Sequence, residues 1–299
     1  MKMLQCLLFA TTVLCLSCES KGGEPMPPRT PAWQAPELLV GGFRFTEGPA
    51  WCDDGYLLFS DLYDNKIYKW SEEDGVTTFL SPSESSNGIC YDGTRFWVCR
   101  HAARDVAVLG KDGTIASFVG SYDGCKLNSP NDVAVSEKGI IYFTDPDYGV
   151  EAEDRELDFE GLYYAVNDSD GAILADDSLL KPNGVALSPD HTKLYVCESS
   201  SNTIYVFDLT PAGAPVNKRT LCRIPGDGEV DGIACHKSGY LFIAFSAGGV
   251  VVVSAAGERT GYMTFSEKDR IRNLCFGGDD GNTLFVAASR SLYRVRLTY

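Results

Sequence analysis

Six side chains that carry an oxygen recur along the 299-residue chain in a single phase: Glu47, Asn87, Asn131, Asn183, Asp231 and Asn273, spaced 40, 44, 52, 48 and 42 residues apart. Two carboxylates and four amides are hard donors, and brought to one point they would suit a hard cation. Calcium takes six to eight such oxygens at roughly 2.3–2.6 Å, whereas magnesium keeps a stricter octahedron and more water. Zinc would want His or Cys, and neither recurs in this phase. Calcium is therefore the expected cofactor, with other divalent cations as possible substitutes. A second reading stays open, because Asn-Gly and Asp-Gly are turn dipeptides and a repeat copies its turns. Glu47, followed by Gly-Pro, and Asn131, followed by Asp, fit it less well.

What could gather these positions is set by the segments they open: EGPAWCDDGYLLFSD, NGICYDGTRFWVCRH, NDVAVSEKGIIYFTD, NGVALSPDHTKLYVCES, DGIACHKSGYLFIAFS and NLCFGGDDGNTLFVAAS. In each, a short apolar run, a polar turn and a β-branched or aromatic run make a hairpin. A third strand follows every hairpin, such as KIYKW or TIYVFD, and a fourth follows the first five. Four strands per repeat of this length is the pattern of a β-propeller blade. The sixth unit ends at the C-terminus without its fourth strand, while an unmatched strand, ELLV at 37–40, precedes the first unit. The expectation is an all-β, six-bladed β-propeller over residues 37–299, closed by its N-terminal strand so that no sheet edge stays open. Within a blade the strands alternate in direction, so the starts of the first strands and the loops after the second strands share one face. The six oxygens should converge at that mouth.

The segments TEGPAW, SSNGICYDG, NSPNDVAV, YFTDPDYG, KPNGVALSPD, VDGIAC and NLCFGG…LYRVRL resemble the senescence marker protein / gluconolactonase / luciferin-regenerating-enzyme family, in particular its gluconolactonase-like bacterial members, over residues 37–299. The resemblance implies a six-bladed propeller and a calcium ion on its axis held by Glu47, Asn131, Asn183 and Asp231, a subset of the six residues found from repeat phase. It also implies hydrolysis of a sugar lactone, with organophosphate cleavage known among relatives. Family members often read Glu-His-Gly in the loop after the second strand of the second blade. This chain has Arg100-His101-Ala102, so His101 keeps its register without the neighbouring acid.

Opening a cyclic ester needs an electrophile on the carbonyl oxygen, a nucleophile and stabilisation of the developing oxyanion. A calcium ion can polarise the carbonyl, and a carboxylate beside it must then serve as base or nucleophile. Asp231 is the expected catalytic residue, with Glu47 as the permanently charged ligand. Asn87, His101, Tyr148 and Asn273 are placed to bind substrate hydroxyls or the oxyanion. The loop from Asp145 to Gly161 carries eight acids against Arg155, and is read as a solvated insertion or a partial lid whose acidity favours a neutral lactone. Two rival functions use the same residues: a phosphotriester-type hydrolase on the same centre, and a non-enzymatic propeller that calcium merely stabilises. No G-x-S-x-G elbow or strand-flanked phosphate loop occurs.

The N-terminus has its own chemistry. Lys2 and an apolar run to Leu16 have the length of a signal-peptide core and are too short to span a bilayer. The sequence Leu14-Cys15-Leu16-Ser17-Cys18 resembles a bacterial lipoprotein signal, with Cys18 lipidated after removal of residues 1–17. Residues 18–36, rich in Pro and Gly, follow as a tether. The expected location is the bacterial cell envelope, periplasm or cell surface, with the membrane touched only through the lipid. Twenty-six basic against 41 acidic residues give a net charge of −15, which works against binding a phosphate backbone. The expected partner is a small molecule and not a nucleic acid. Eight cysteines lie beyond Cys18, without metal-type spacing. Cys99, Cys197, Cys235 and Cys275 sit within strand patterns as small core residues, most of the eight are read as buried thiols, and an oxidising compartment permits a disulfide pair or two.

Overall fold

The computed structural model describes residues 30–166, 171–266 and 268–298. The signal segment and Cys18 lie outside the described residues. Among these, one short 3₁₀ turn at Ala152–Asp154 is the only helix and the rest of the regular structure is antiparallel sheet.

Four sheets hold four strands each, paired in chain order. They begin with Ser86–Tyr91, Val133–Val135, Pro182–Leu187 and Val230–Cys235. The chain ends share a fifth, seven-stranded sheet built on two long strands, Glu37–Cys52 and Thr283–Thr298. Residues 46–52 of the former pair with Tyr56–Asp61, while Glu37, Leu38 and Val40 pair with Arg294, Tyr293 and Leu292 of the latter. The N-terminal residues thus fasten the C-terminal ones. The first strands touch in a closed cycle, from Glu37–Cys52 through Ser86–Tyr91, Val133–Val135, Pro182–Leu187, Val230–Cys235 and Asn273–Gly277 back to Glu37–Cys52. The result is an all-β, propeller-like fold.

The core lies between the faces of neighbouring sheets. Trp97 and Cys99 meet Val133, Phe143 and Tyr163 across one such junction, and Phe59 and Trp70 meet Phe285 and Leu292 across the seam between the chain ends. A second strand is covered on both faces, so Tyr56–Asp61 and Leu241–Phe245 are buried at every residue. That is why these strands are continuous apolar runs and not alternating ones.

One boundary moves. Residues 18–36 read as tether, yet Ala32 and Trp33 already pair with Thr298 and Leu297, and Trp33 packs against the cluster of Phe242, Val252 and Leu297. A two-residue strand set off from Glu37 by Pro36 lacks the length that marks a strand in sequence.

Candidate active site

At one end of the axis is a cavity of about 450 Å³. Glu47, Asn87, His101, Asn131, Tyr148, Asn183 and Asp231 all line it, so seven of the eight residues expected there are brought together. Asn273 is the exception. Its side chain turns away from this cavity, accepts the Leu274 N–H at 2.7 Å, and lies near enough to Asp132 to favour that carboxylate's charged form. It lines instead a second cavity of about 230 Å³ on the same axis, because its neighbour Arg272 takes the place at the mouth.

The gathering has a backbone cause. The Gly88 N–H donates to the Asn131 carbonyl and the Gly232 N–H to the Arg272 carbonyl, each at 2.8 Å, so neighbouring first strands touch directly. A Cβ at Gly184 would lie 2.6 Å from the Asp231 carbonyl oxygen and the Ile233 nitrogen, and none of Gly88, Gly184 and Gly232 has a left-handed φ. These glycines serve close approach, and the turn reading of the Asn-Gly and Asp-Gly pairs fails. Hydroxyls from the preceding sheet then pin the next first strand: Ser60 Oγ donates to the Asn87 carbonyl at 2.8 Å, Thr144 Oγ1 to that of Asn183 at 2.7 Å, and Ser199 Oγ to that of Val230 at 2.6 Å.

Glu47 and Asp231 are buried and repel one another. Burial first, and then Asp231, raises the Glu47 carboxyl well above the usual range. Burial also raises Asp231, opposed by the guanidinium of Arg272, whose Nη1 donates to Oδ2 at 3.2 Å. Asp132, beneath them, is pushed up to about 7 by burial. Buried carboxylates of this kind ask for a counter-charge, and Arg272 is the one Lys or Arg lining the cavity. Among the described residues Glu47 accepts only the Gly48 N–H, at 3.3 Å, and the Asn87 Oδ1 is buried without a partner. Three His, Cys, Asp or Glu side chains do not cluster as a metal site among the described residues, so any cation here would draw on the amides Asn131 and Asn183 as well as on Glu47 and Asp231. An all-oxygen set of two carboxylates and two amides fits calcium.

His101 is buried, and its Nε2 lies 3.1 Å from Asn87 Nδ2. An amide nitrogen donates, so Nε2 accepts. Burial pulls the ring down to about 4, leaving it neutral at physiological pH. Tyr148 has its hydroxyl pushed up to about 12 by burial, so it stays a donor. Gly149 lies against His101, where a Cβ would come within 2.8 Å of the ring.

Glu151, Asp154 and Glu156 line an adjoining hollow that shares His101, Ala102 and Gly149 with this cavity, so the acidic loop puts carboxylates beside the mouth. Only Tyr148 and Gly149 of it line the cavity. Asp147 is paired with Lys181 and Arg155, Asp145 accepts the Asn128 N–H at 2.7 Å, and Arg104 donates to the Asp154 carbonyl at 3.0 Å. Other polar residues of the neighbouring loops are also structural: Asp61 accepts the N–H groups of Arg44, Phe45 and Asp64, and Arg100 pairs with Asp105.

Sequence reasoning missed Arg272, Glu229 and the aromatic wall of Phe45 and Tyr63, all on the lining. A signal existed for the first. The residues just before the six phased oxygens are Thr46, Ser86, Pro130, Pro182, Val230 and Arg272, and only the last is charged.

Residues 45–290 match the family described as the SMP-30/Gluconolactonase/LRE-like region. A gluconolactonase of Zymomonas mobilis is 34% identical over 293 residues, covering 87% of this chain and 80% of the relative. An L-arabinolactonase of Azospirillum brasilense is 37% identical over 239 residues, 74% of each. The solved structure of a gluconolactonase from Xanthomonas campestris superimposes with a TM-score of 0.81 at 30% identity, covering 88% of this chain and 89% of that one. With five of its six phased oxygens gathered at one cavity and its sequence matched across most of its length, the chain belongs to the SMP-30/gluconolactonase/LRE-like family.

Proposed function

We propose that this chain is a six-bladed propeller hydrolase that opens a neutral sugar lactone, with Asp231 as base or nucleophile. The closed cycle of first strands supports six blades, the seven-stranded sheet being two blades fused where the long strands run from one into the other. The observation that carries the function is Asp231 itself: a buried carboxylate on the cavity lining, held by Arg272, beside a Glu47 carboxylate that accepts only the Gly48 N–H and an Asn87 Oδ1 without a partner among the described residues. That the relatives include a gluconolactonase and an L-arabinolactonase supports the substrate class.

Glu47, Asn131, Asn183 and Asp231 would hold calcium, which when bound supplies Lewis-acid polarisation of a carbonyl. Asp231 takes the proton as water adds to the lactone carbon, or attacks that carbon itself. Collapse of the tetrahedral species breaks the ring C–O bond. With Asp231 as base the alkoxide gains the proton that Asp231 took, leaving the hydroxy acid. With Asp231 as nucleophile the alkoxide takes a proton from the water that then hydrolyses the Asp231 acyl anhydride, which releases the same hydroxy acid and restores the carboxylate. Neutral His101, Asn87 and the protonated Tyr148 contribute hydrogen bonds to hydroxyls or the oxyanion. The wall of Phe45 and Tyr63, their rings 4.9 Å apart, offers a face for the C–H side of a sugar ring. The test is a pH-indicator assay of aldonolactones with and without a calcium chelator. Chelator-sensitive acid release supports the proposal, and wild-type protein inert toward every lactone removes it.

Export and lipidation at Cys18 belong to the same proposal. Residues 19–31, thirteen in all, separate Cys18 from the first paired residue, Ala32. Cys18→Ser should move the protein from the membrane fraction to the soluble one, and retention of the mutant in membranes would overturn the anchor.

A further inference from the structure

Arg272 is anchored on every side. Its Nη1 donates to Asp231 Oδ2 at 3.2 Å, its Nε to Ser289 Oγ at 3.4 Å, and its guanidinium lies over the Phe45 ring, 4.7 Å from the centroid. Its backbone is fixed as well, the N–H donating to Ala287 at 2.9 Å and the carbonyl accepting from Gly232 at 2.8 Å. The side chains of Arg272 and Asp231 are 16% and 10% exposed, so their contact is poorly screened by water. A guanidinium is planar and directional, and stacking on a ring sets its plane.

We infer that Arg272 is the positioning residue for Asp231: lying over Phe45, it occupies Oδ2 and holds the carboxylate against repulsion from Glu47, so that Oδ1 is the oxygen left to meet calcium and the substrate. The supports come from the seam that joins the chain ends. Phe45 lies on Glu37–Cys52 and Ser289 on Thr283–Thr298, and Thr46 pairs with Ser289. Closure of the ring thereby orients the catalytic carboxylate.

The inference rests on the lactonase reading, and its test separates the two. Full-length Arg272→Met, Arg272→Lys and Phe45→Leu are compared with wild type on glucono-1,5-lactone at saturating calcium, and calcium affinity is measured independently by calorimetry. Arg272→Met should lower kcat about 10²-fold and Arg272→Lys about tenfold, with KM within about threefold, since Lys keeps the charge but not the planar contact. Phe45→Leu, which removes the platform and one side of the aromatic wall, should lower kcat about threefold to tenfold and raise KM, without altering calcium affinity. Millimolar guanidinium should restore part of the kcat of Arg272→Ala. Calcium should bind Arg272→Met about tenfold more tightly, because a like charge has left the site. Wild-type kcat in Arg272→Met, or a loss confined to KM, overturns the inference. Should wild type open no lactone, the lactonase reading falls alone, and calorimetry still decides: tighter calcium binding in Arg272→Met upholds the Arg272–Asp231 contact, and unchanged affinity overturns it. Arg272→Lys and Phe45→Leu keep the test informative if the methionine variant does not fold.

Discussion

The first strands run from one end of the axis to the other, and their two ends are chemically opposite. Where they start, Glu47, Asn131, Asn183 and Asp231 surround a cavity of about 450 Å³. A few residues further on, Val133, Val135, Val185, Ile233 and Phe276, with the thiols of Cys90, Cys235 and Cys275, surround one of about 230 Å³. Asp132 and Asn273 both lie on the lining of the second. The same backbone architecture thus supports an oxygen-lined end and a thiol- and hydrocarbon-lined end. The difference shows that symmetry delivers positions, and that the residue type at each position decides whether an end can do chemistry.

The largest effect should come from the oxygen-lined end. Asp231→Asn keeps an oxygen but loses a base, so lactone turnover should fall by about 10²–10⁴, with calcium binding weakened yet measurable by calorimetry. Near-normal turnover of this variant at saturating calcium would make another group the base. Asn183→Ala removes a donor oxygen and leaves the carboxylate, so its calcium dissociation constant should rise about tenfold to a hundredfold, and its turnover should recover substantially as calcium is raised. A defect that calcium does not relieve would show that Asn183 acts on substrate or on Asp231, whose charged form it favours.

Much of this contrast was legible in the sequence. Repeats expose the phase of Glu47, Asn131, Asn183 and Asp231, because every blade solves the same local packing problem and repeats its pattern. The pairing of ELLV with the last strand followed from counting strands. Side-chain direction was not legible. Asn273 shares the phase of the others, yet its Oδ1 accepts the N–H of its own neighbour Leu274. Arg272 was missed because its role depends on Phe45, more than two hundred residues away in sequence. Composition likewise does not tell which acids of the 145–161 loop are engaged, as Asp147 is by Lys181 and Arg155, and which, like Glu151, lie beside the mouth.

Between the two ends, the glycines set how closely the first strands approach. Gly184→Ala would push a methyl onto the Asp231 carbonyl and the Ile233 nitrogen, backbone atoms that cannot swing aside. Overpacking of this kind costs about 1–3 kcal/mol, seen as a lower melting temperature, and it should loosen calcium binding because Asn183 and Asp231 flank the clash. An alanine variant as stable as wild type, with unchanged calcium affinity, would mean that the first strands need no such contact.

The smallest effect should come from the thiol-lined end, where it tests whether the two ends are independent. Cys90, Cys235 and Cys275 are free thiols. Burial pushes Cys90 and Cys235 up to about 12 and raises Cys275 as well, so little thiolate exists at neutral pH and alkylation by iodoacetamide should be slow. Cys90→Ala and Cys275→Ala remove small side chains at the cavity edge, and each should cost about 1 kcal/mol or less in stability. Turnover and calcium affinity should not change, since nothing they touch lines the other cavity. A several-fold change in turnover would break the comparison, and the route for it is already visible: the charge of Asp132 is felt by Cys90, and Asp132 in turn repels Glu47. Asp132→Asn would then identify the link, by abolishing any effect of the Cys90 substitution on turnover while leaving its small effect on stability.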